Sequence, residues 1–258
     1  MNQPQADFAI IGGSGLNELA TLEQSSFCEL TTPWGSPSGA MMLGIWQGKS
    51  VVFLARHGRP HHIPPHAINY RANLFALKQM GVRQIVAVNV VGGIHVSMRQ
   101  PGQFVIPDQI IDYTYGRSNS FCDIEGETVR HIDFSFPYNE SLRQRLLDAV
   151  KKLKLHCHPS GVYGCTQGPR LETAAEITRM QRDGCDIVGM TAMPEACLAR
   201  ELDIAYASLC LVVNPAAGLT QNIISLAEIE HHMQQGMGTI KEILSTFLSD
   251  AVYARARE

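Results

Sequence analysis

The sequence predicts a single α/β domain, residues 1–258, built on a central mixed, largely parallel β-sheet flanked by helices. Three observations predict it. Short runs rich in Val, Ile and Ala recur with the length of buried strands. Between them lie stretches whose apolar residues repeat every three to four positions, as on one face of a helix. A hydrophobic content of 45% is enough for one core of this size, and strands alternating with helices imply a sheet covered on both faces.

The first expected strand, Phe8-Ala9-Ile10-Ile11, runs into Gly12-Gly13-Ser14-Gly15-Leu16. Such a turn exposes backbone N–H groups to an anion, although a tight turn without a ligand looks the same. It is not a dinucleotide fingerprint, because Glu18 stands where a third glycine belongs, and no Gly-Lys-Ser/Thr follows to make a P-loop. Residues 50–55 form a second strand that ends at Arg56-His57-Gly58, placing a basic pair at a strand's carboxyl end, where open α/β sheets bind ligands. Arginine offers a planar fork to phosphate oxygens and histidine a further donor. His61, His62 and His66 follow, but Pro60, Pro64 and Pro65 prevent a helix from gathering them and no carboxylate or cysteine joins the run, so no metal is expected.

Residues 84–90 form a third buried strand ending at Gly92-Gly93. Residues 113–139 have weak periodicity and read as a long excursion. Asn139 is placed to cap a helix carrying Leu142, Leu146, Ala149, Val150 and Leu153. The strand at Val162-Tyr163-Gly164 precedes Gly168-Pro169-Arg170-Leu171-Glu172-Thr173, where Glu172 is either a site residue or the first-turn acid of a helix containing Ala174, Ala175 and Ile177. Residues 186–188 lead to Gly189-Met190-Thr191, and the apolar strand 205–213 stops at Asn214, a residue that usually serves turn chemistry at such junctions. Ser225-Leu226-Ala227-Glu228 has the capping-box pattern and opens a last helix with Leu226, Ile229, Met233, Met237, Ile240, Leu244 and Phe247 on one face.

A net charge of −3 and a pI near 6.4 supply no long-range field for nucleic acid or an anionic membrane, so any bound anion is captured locally. Seven cysteines without C-x-x-C spacing point to a reducing cytoplasm. No signal peptide is expected, and no apolar stretch approaches the roughly 18–20 residues that span a bilayer.

In chain order, Gly12-Gly13-Ser14-Gly15-Leu16, Ala55-Arg56-His57-Gly58, Asn69-Tyr70-Arg71-Ala72-Asn73, Val91-Gly92-Gly93-Ile94, Gln167-Gly168-Pro169-x-x-Glu172-Thr173, Gly189-Met190-Thr191-x-Met193-Pro194-Glu195 and Val213-Asn214 resemble the trimeric purine nucleoside phosphorylase and methylthioadenosine phosphorylase family. The resemblance runs from about residue 8 to 245 and is strongest to the bacterial members that cleave methylthioinosine. It implies the nucleoside phosphorylase fold, a homotrimer, and inorganic phosphate as co-substrate without metal or organic cofactor. The implied phosphate site comprises Ser14, Arg56, His57, the Asn89–Val90 segment and Thr191. Asn89 replaces the small residue expected there, so the implied role is that of its backbone. Met190 would pack on the ribose. Glu172 and Asn214, with Pro215 and Ala216, would face the purine, while Leu226, Ile229 and His131 from the neighbouring subunit would surround the 5′ group.

The reaction this implies is phosphorolysis of S-methyl-5′-thioinosine to hypoxanthine and 5-methylthioribose 1-phosphate. A 6-oxopurine presents a ring N–H and a carbonyl oxygen, complementary to a carboxylate and an amide. Adenine-specific relatives carry an aspartate where Asn214 stands and a small hydroxyl residue where Glu172 stands. Relatives acting on ordinary nucleosides place a histidine near Leu226; a leucine cannot satisfy a buried hydroxyl but packs on a methylthio group, and Leu226 reads equally as a core residue of its helix. Methylthioadenosine or broad purine nucleoside phosphorolysis is the alternative activity, and a non-catalytic nucleoside-binding module the alternative of another class.

Overall fold

The central strands are buried on both faces, and alternate residues join opposite core layers, because successive side chains on a strand face opposite sides of its sheet. The computed structural model describes residues 5–13, 22–122, 129–221 and 224–250. Its strands are β1 (Phe8–Gly12), β2 (Glu23–Cys28), β3 (Met41–Trp46), β4 (Lys49–Ala55), β5 (Gln84–Gly93), β6 (Phe104–Val105), β7 (Gln109–Asp112), β8 (Cys157–His158), β9 (Val162–Cys165), β10 (Ile187–Gly189) and β11 (Ala205–Pro215). The α-helices are α1 (Tyr70–Gln79), α2 (Glu140–Lys152), α3 (Ala174–Arg182), α4 (Ala192–Glu201) and α5 (Leu226–Ser249).

All strands join one sheet in the order β2-β3-β4-β1-β5-β10-β9-β7, with β11 pairing β5 and β6, and β6 pairing β8. The pairings β1–β4, β1–β5, β5–β11, β9–β10, β7–β9 and β6–β8 are parallel; β2–β3, β3–β4, β5–β10 and β6–β11 are antiparallel. The expected mixed, largely parallel sheet is present. One face carries Ala9, Ile11, Val52, Leu54, Ile85 and Ala87 against α1 and α4; the other carries Phe8, Ile10, Val51, Phe53, Val86 and Val88 against α2 and α5. Each fully buried Ile or Phe in these layers contributes about 1.5–3 kcal/mol relative to exposure.

Local chemistry sets the element ends. The Asn139 side chain accepts from Leu142 N–H to cap α2, and Ser225 accepts from Glu228 N–H to cap α5. Thr173 and Glu176 form a reciprocal capping box at the start of α3. That arrangement corrects one reading of Glu172: the first-turn acid is Glu176, and Glu172 lies outside the helix. Between Asp112 and Glu140 the described residues form no strand or helix, as expected of an excursion.

Two glycines are demanded by close approach where β5 and β10 end. A Cβ on Gly93 would lie 1.8 Å from the Met98 carbonyl oxygen, and one on Gly189 would lie 2.0 Å from the Tyr163 hydroxyl. Both are therefore fixed by packing at the strand ends that lead into the cavity described next.

Candidate active site

The carboxyl ends of β1, β4, β5, β10 and β11 open into a cavity of about 530 Å³ lined by Arg56, His57, Thr191 and Met190 on one side and Glu172 and Asn214 on another. Val88, Val90 and Ala216 contribute apolar wall, and Ile224, Leu226 and Ile229 complete the lining.

Arg56 follows β4 directly and donates its backbone N–H to the Gly12 carbonyl, so the β1–β4 pairing aims the side chain. The guanidinium is 1% exposed. Nε and Nη2 donate to the two Glu195 oxygens at 3.0 and 2.8 Å, and Nη1 donates to the Val88 carbonyl at 2.9 Å. Glu195, 0% exposed, also accepts from the Tyr206 hydroxyl at 2.8 Å. Burial opposes the Arg56 charge, but the Glu195 carboxylate outweighs it and raises the guanidinium above its ordinary range.

His57 is clasped by its own turn. Its carbonyl accepts from the N–H groups of His62 and Ile63, and its Nδ1 lies 2.8 Å from the Ile63 carbonyl. Burial, assisted by the neighbouring Arg56 and His61 charges, lowers its basicity to about 4. Among the described residues no three His, Cys, Asp or Glu side chains come together to hold a metal ion.

Thr191 stands at the first position before α4 without capping it through its side chain, and its hydroxyl accepts from Asn89 Nδ2 at 2.9 Å. A hydroxyl that accepts in this way keeps its hydrogen for donation to a third group. The Asn89 side chain is thus turned to Thr191, and Asn89 is not itself part of the lining, whereas Val88 and Val90 are.

At the opposite wall Glu172 Oε1 accepts from the Thr166 hydroxyl at 2.6 Å. Asn214 lies inside β11 rather than in a turn, which corrects the turn-chemistry reading. A register shift between Val212 and Asn214 marks a bulge there, the device by which a strand redirects a side chain next to a site. One Asn214 N–H is held by the Pro215 carbonyl at 2.6 Å. Pro215 is not part of the lining; its carbonyl instead steadies the amide, while Ala216 does line the cavity.

Other expected positions fall differently. Leu226 is 73% exposed at the cavity mouth, which overturns its reading as a core residue; Ile229 is half-buried and packs on the α2–α5 layer. His131 is exposed and outside this chain's cavity lining. Ser14 lies outside the described residues.

Arg117, Tyr70, Glu195 and Tyr206 also shape the site, and no local pattern in the sequence marks them for it. Arg117 is the hub of the 113–139 excursion: it donates to the Thr166, Gln167, Met190 and Met193 carbonyls and to the Tyr70 hydroxyl, at 2.6 to 3.2 Å. It thereby ties the Glu172 and Met190 segments together. Nothing in a lone arginine within an aperiodic stretch signals this. Glu195 closes the Gly189–Glu195 motif, and nothing local to it points to Arg56.

Residues 7–249 match the phosphorylase superfamily. A probable S-methyl-5′-thioinosine phosphorylase of Pseudomonas syringae pv. tomato is 54% identical over 94% of this chain and 98% of its own. The 6-oxopurine nucleoside phosphorylase of Pyrococcus furiosus is 43% identical over 92% of this chain and 89% of its own. Among solved structures, methylthioadenosine phosphorylase from Schistosoma mansoni in complex with adenine superposes with a TM-score of 0.90 at 30% identity, covering 95% of this chain and 91% of that one.

Proposed function

Because the chain belongs to the phosphorylase superfamily, we propose that it cleaves S-methyl-5′-thioinosine with inorganic phosphate, yielding hypoxanthine and 5-methylthioribose 1-phosphate. One observation carries the reading: a single cavity has an Arg56–His57–Thr191 end suited to an oxyanion and a Glu172–Asn214 wall suited to a 6-oxopurine, with Met190 between strand ends for the sugar. The names of the relatives at 54% and 43% identity support both halves, methylthio sugar and 6-oxopurine.

A phosphate oxygen attacks C1′ of the nucleoside, the C1′–N9 bond breaks, and its electron pair leaves with the purine. Positive charge grows on the ribose and negative charge on the base. The phosphate end holds the nucleophile in line. Asn214, one N–H fixed on Pro215, directs the other at N7 and O6 of the departing base, where charge develops. Glu172 accepts the purine ring N–H. Its Thr166 partner keeps it oriented. Leu226, Ile229 and Ile224 offer apolar surface to the methylthio group.

The reaction is proposed to run without metal or organic cofactor. The enzyme is proposed to be a cytoplasmic homotrimer in which the exposed His131 reaches a neighbour's 5′ pocket. No disulfide joins its seven cysteines, and no helix among the described residues is long and apolar enough to cross a membrane.

The test is base release from methylthioinosine and from inosine, each with and without phosphate. Hypoxanthine is expected to appear only with phosphate, and faster from methylthioinosine. Release of equal extent without phosphate, or none under any condition, contradicts the reading.

A further inference from the structure

The anion end of the cavity holds less free charge than its residues suggest. Arg56 is the one Lys or Arg among the described lining residues, and its charge is cancelled by the buried Glu195 carboxylate before any anion arrives. Residues 14–21 contain no Lys or Arg. Glu172 adds a carboxylate on the far wall.

His57 does not make up the deficit in its resting form. The Ile63 carbonyl 2.8 Å from Nδ1 can only accept, so Nδ1 carries the ring hydrogen. With the ring's basicity lowered to about 4, it is neutral near pH 7 and its Nε2 is a bare lone pair. Nε2 faces the end of β1 beside Arg56: a Cβ on Gly13 would stand 3.9 Å from Nε2 and 3.5 Å from Arg56 Nη1. On its other side His61 stacks flat on His57, ring centroids 4.3 Å apart, and burial and His62 lower the basicity of His61 too. His62 Nδ1 lies 2.5 Å from the Pro60 carbonyl. A phosphate dianion therefore meets an acceptor where it needs a donor.

We propose that phosphate binding draws a proton from solvent onto His57 Nε2, so that the dianion is held by an imidazolium N–H. The proposal rests on the phosphate reading of this end of the cavity. No bond in phosphate is made or broken in this step; one proton leaves the buffer per anion bound and returns when the sugar phosphate departs. The dianion supplies the favourable charge that the ring lacks at rest, which is why protonation accompanies binding and does not precede it.

Calorimetric titration of the whole protein with phosphate, and separately with sulfate, at about pH 8 in Tris and in HEPES tests this. Sulfate is a dianion with no hydrogen of its own, so proton uptake on binding it belongs to the protein. Both anions are expected to show uptake of about one proton, read from the difference in heat between the buffers, and the KM for phosphate is expected to rise about tenfold per pH unit above neutrality. His57→Gln, which presents an amide N–H, should bind without uptake; His61→Phe, which keeps the stack, should retain it. Buffer-independent heats in the natural protein overturn the proposal and mean that hydrogen phosphate donates its own hydroxyl hydrogen to Nε2, with the phosphorylase reading intact. Uptake that persists in His57→Gln or vanishes in His61→Phe also overturns it. No phosphate binding together with no phosphate-dependent turnover overturns the phosphorylase reading as well.

Discussion

Replacing Asn214 by alanine is expected to lower kcat/KM for methylthioinosine by about 10²–10³, with most of the loss in kcat. The reason is timing. An N–H aimed at purine N7 and O6 gains strength as the base becomes an anion, so its removal costs more in the transition state than in the bound substrate. The fold should tolerate the change, because Asn214 is half-buried at a bulge and its side chain bonds to its own neighbour, Pro215. Steady-state kinetics beside a thermal melt check both statements. A variant with natural turnover contradicts the role given to Asn214, and one that has lost its cooperative melt contradicts its independence from the fold.

The second large effect falls on stability. Glu195→Gln should cost about 3–5 kcal/mol, because it leaves the 1% exposed Arg56 guanidinium without its countercharge. For a chain of this length that corresponds to a melting temperature lower by roughly 6–20 °C. The glutamine oxygen can still accept from the Tyr206 hydroxyl and Arg56 Nη2, but its NH2 would face Arg56 Nε donor to donor, so the loss falls on the Arg56 turn. A melting temperature unchanged within about 2 °C would mean that the pair is solvated in solution and that Arg56 keeps its charge for the anion.

Much of this architecture was legible in the sequence because it rests on local chemistry. The β5 run from Gln84, the Asn139 and Ser225 caps, and the positions of Arg56-His57 and Asn214 after strands follow from apolar run length, cap residues and the rule that ligands meet strand ends. The five residues at the two polar walls, Arg56, His57, Thr191, Glu172 and Asn214, do meet in one cavity. What was not legible depends on partners distant in the chain. Arg56 reads as a free phosphate ligand until Glu195, 139 positions later, is seen to occupy it. Asn89 reads as a backbone contributor with no task for its amide until Thr191, 102 positions later, is seen to accept from it. Arg117 has no pattern around it, yet it holds four carbonyls. Leu226 fits the helical period but belongs to the first turn, which projects beyond the core the rest of α5 packs on.

The central claim is that Glu172 and Asn214 select a 6-oxopurine, and the ratio of kcat/KM for methylthioinosine to that for methylthioadenosine, measured at saturating phosphate, tests it most directly. An amino group in place of the carbonyl, and an acceptor in place of the ring N–H, leaves both protein groups mispaired. The ratio is expected to exceed about 10². A ratio below one, with adenine released faster than hypoxanthine, would contradict the base recognition proposed for this site.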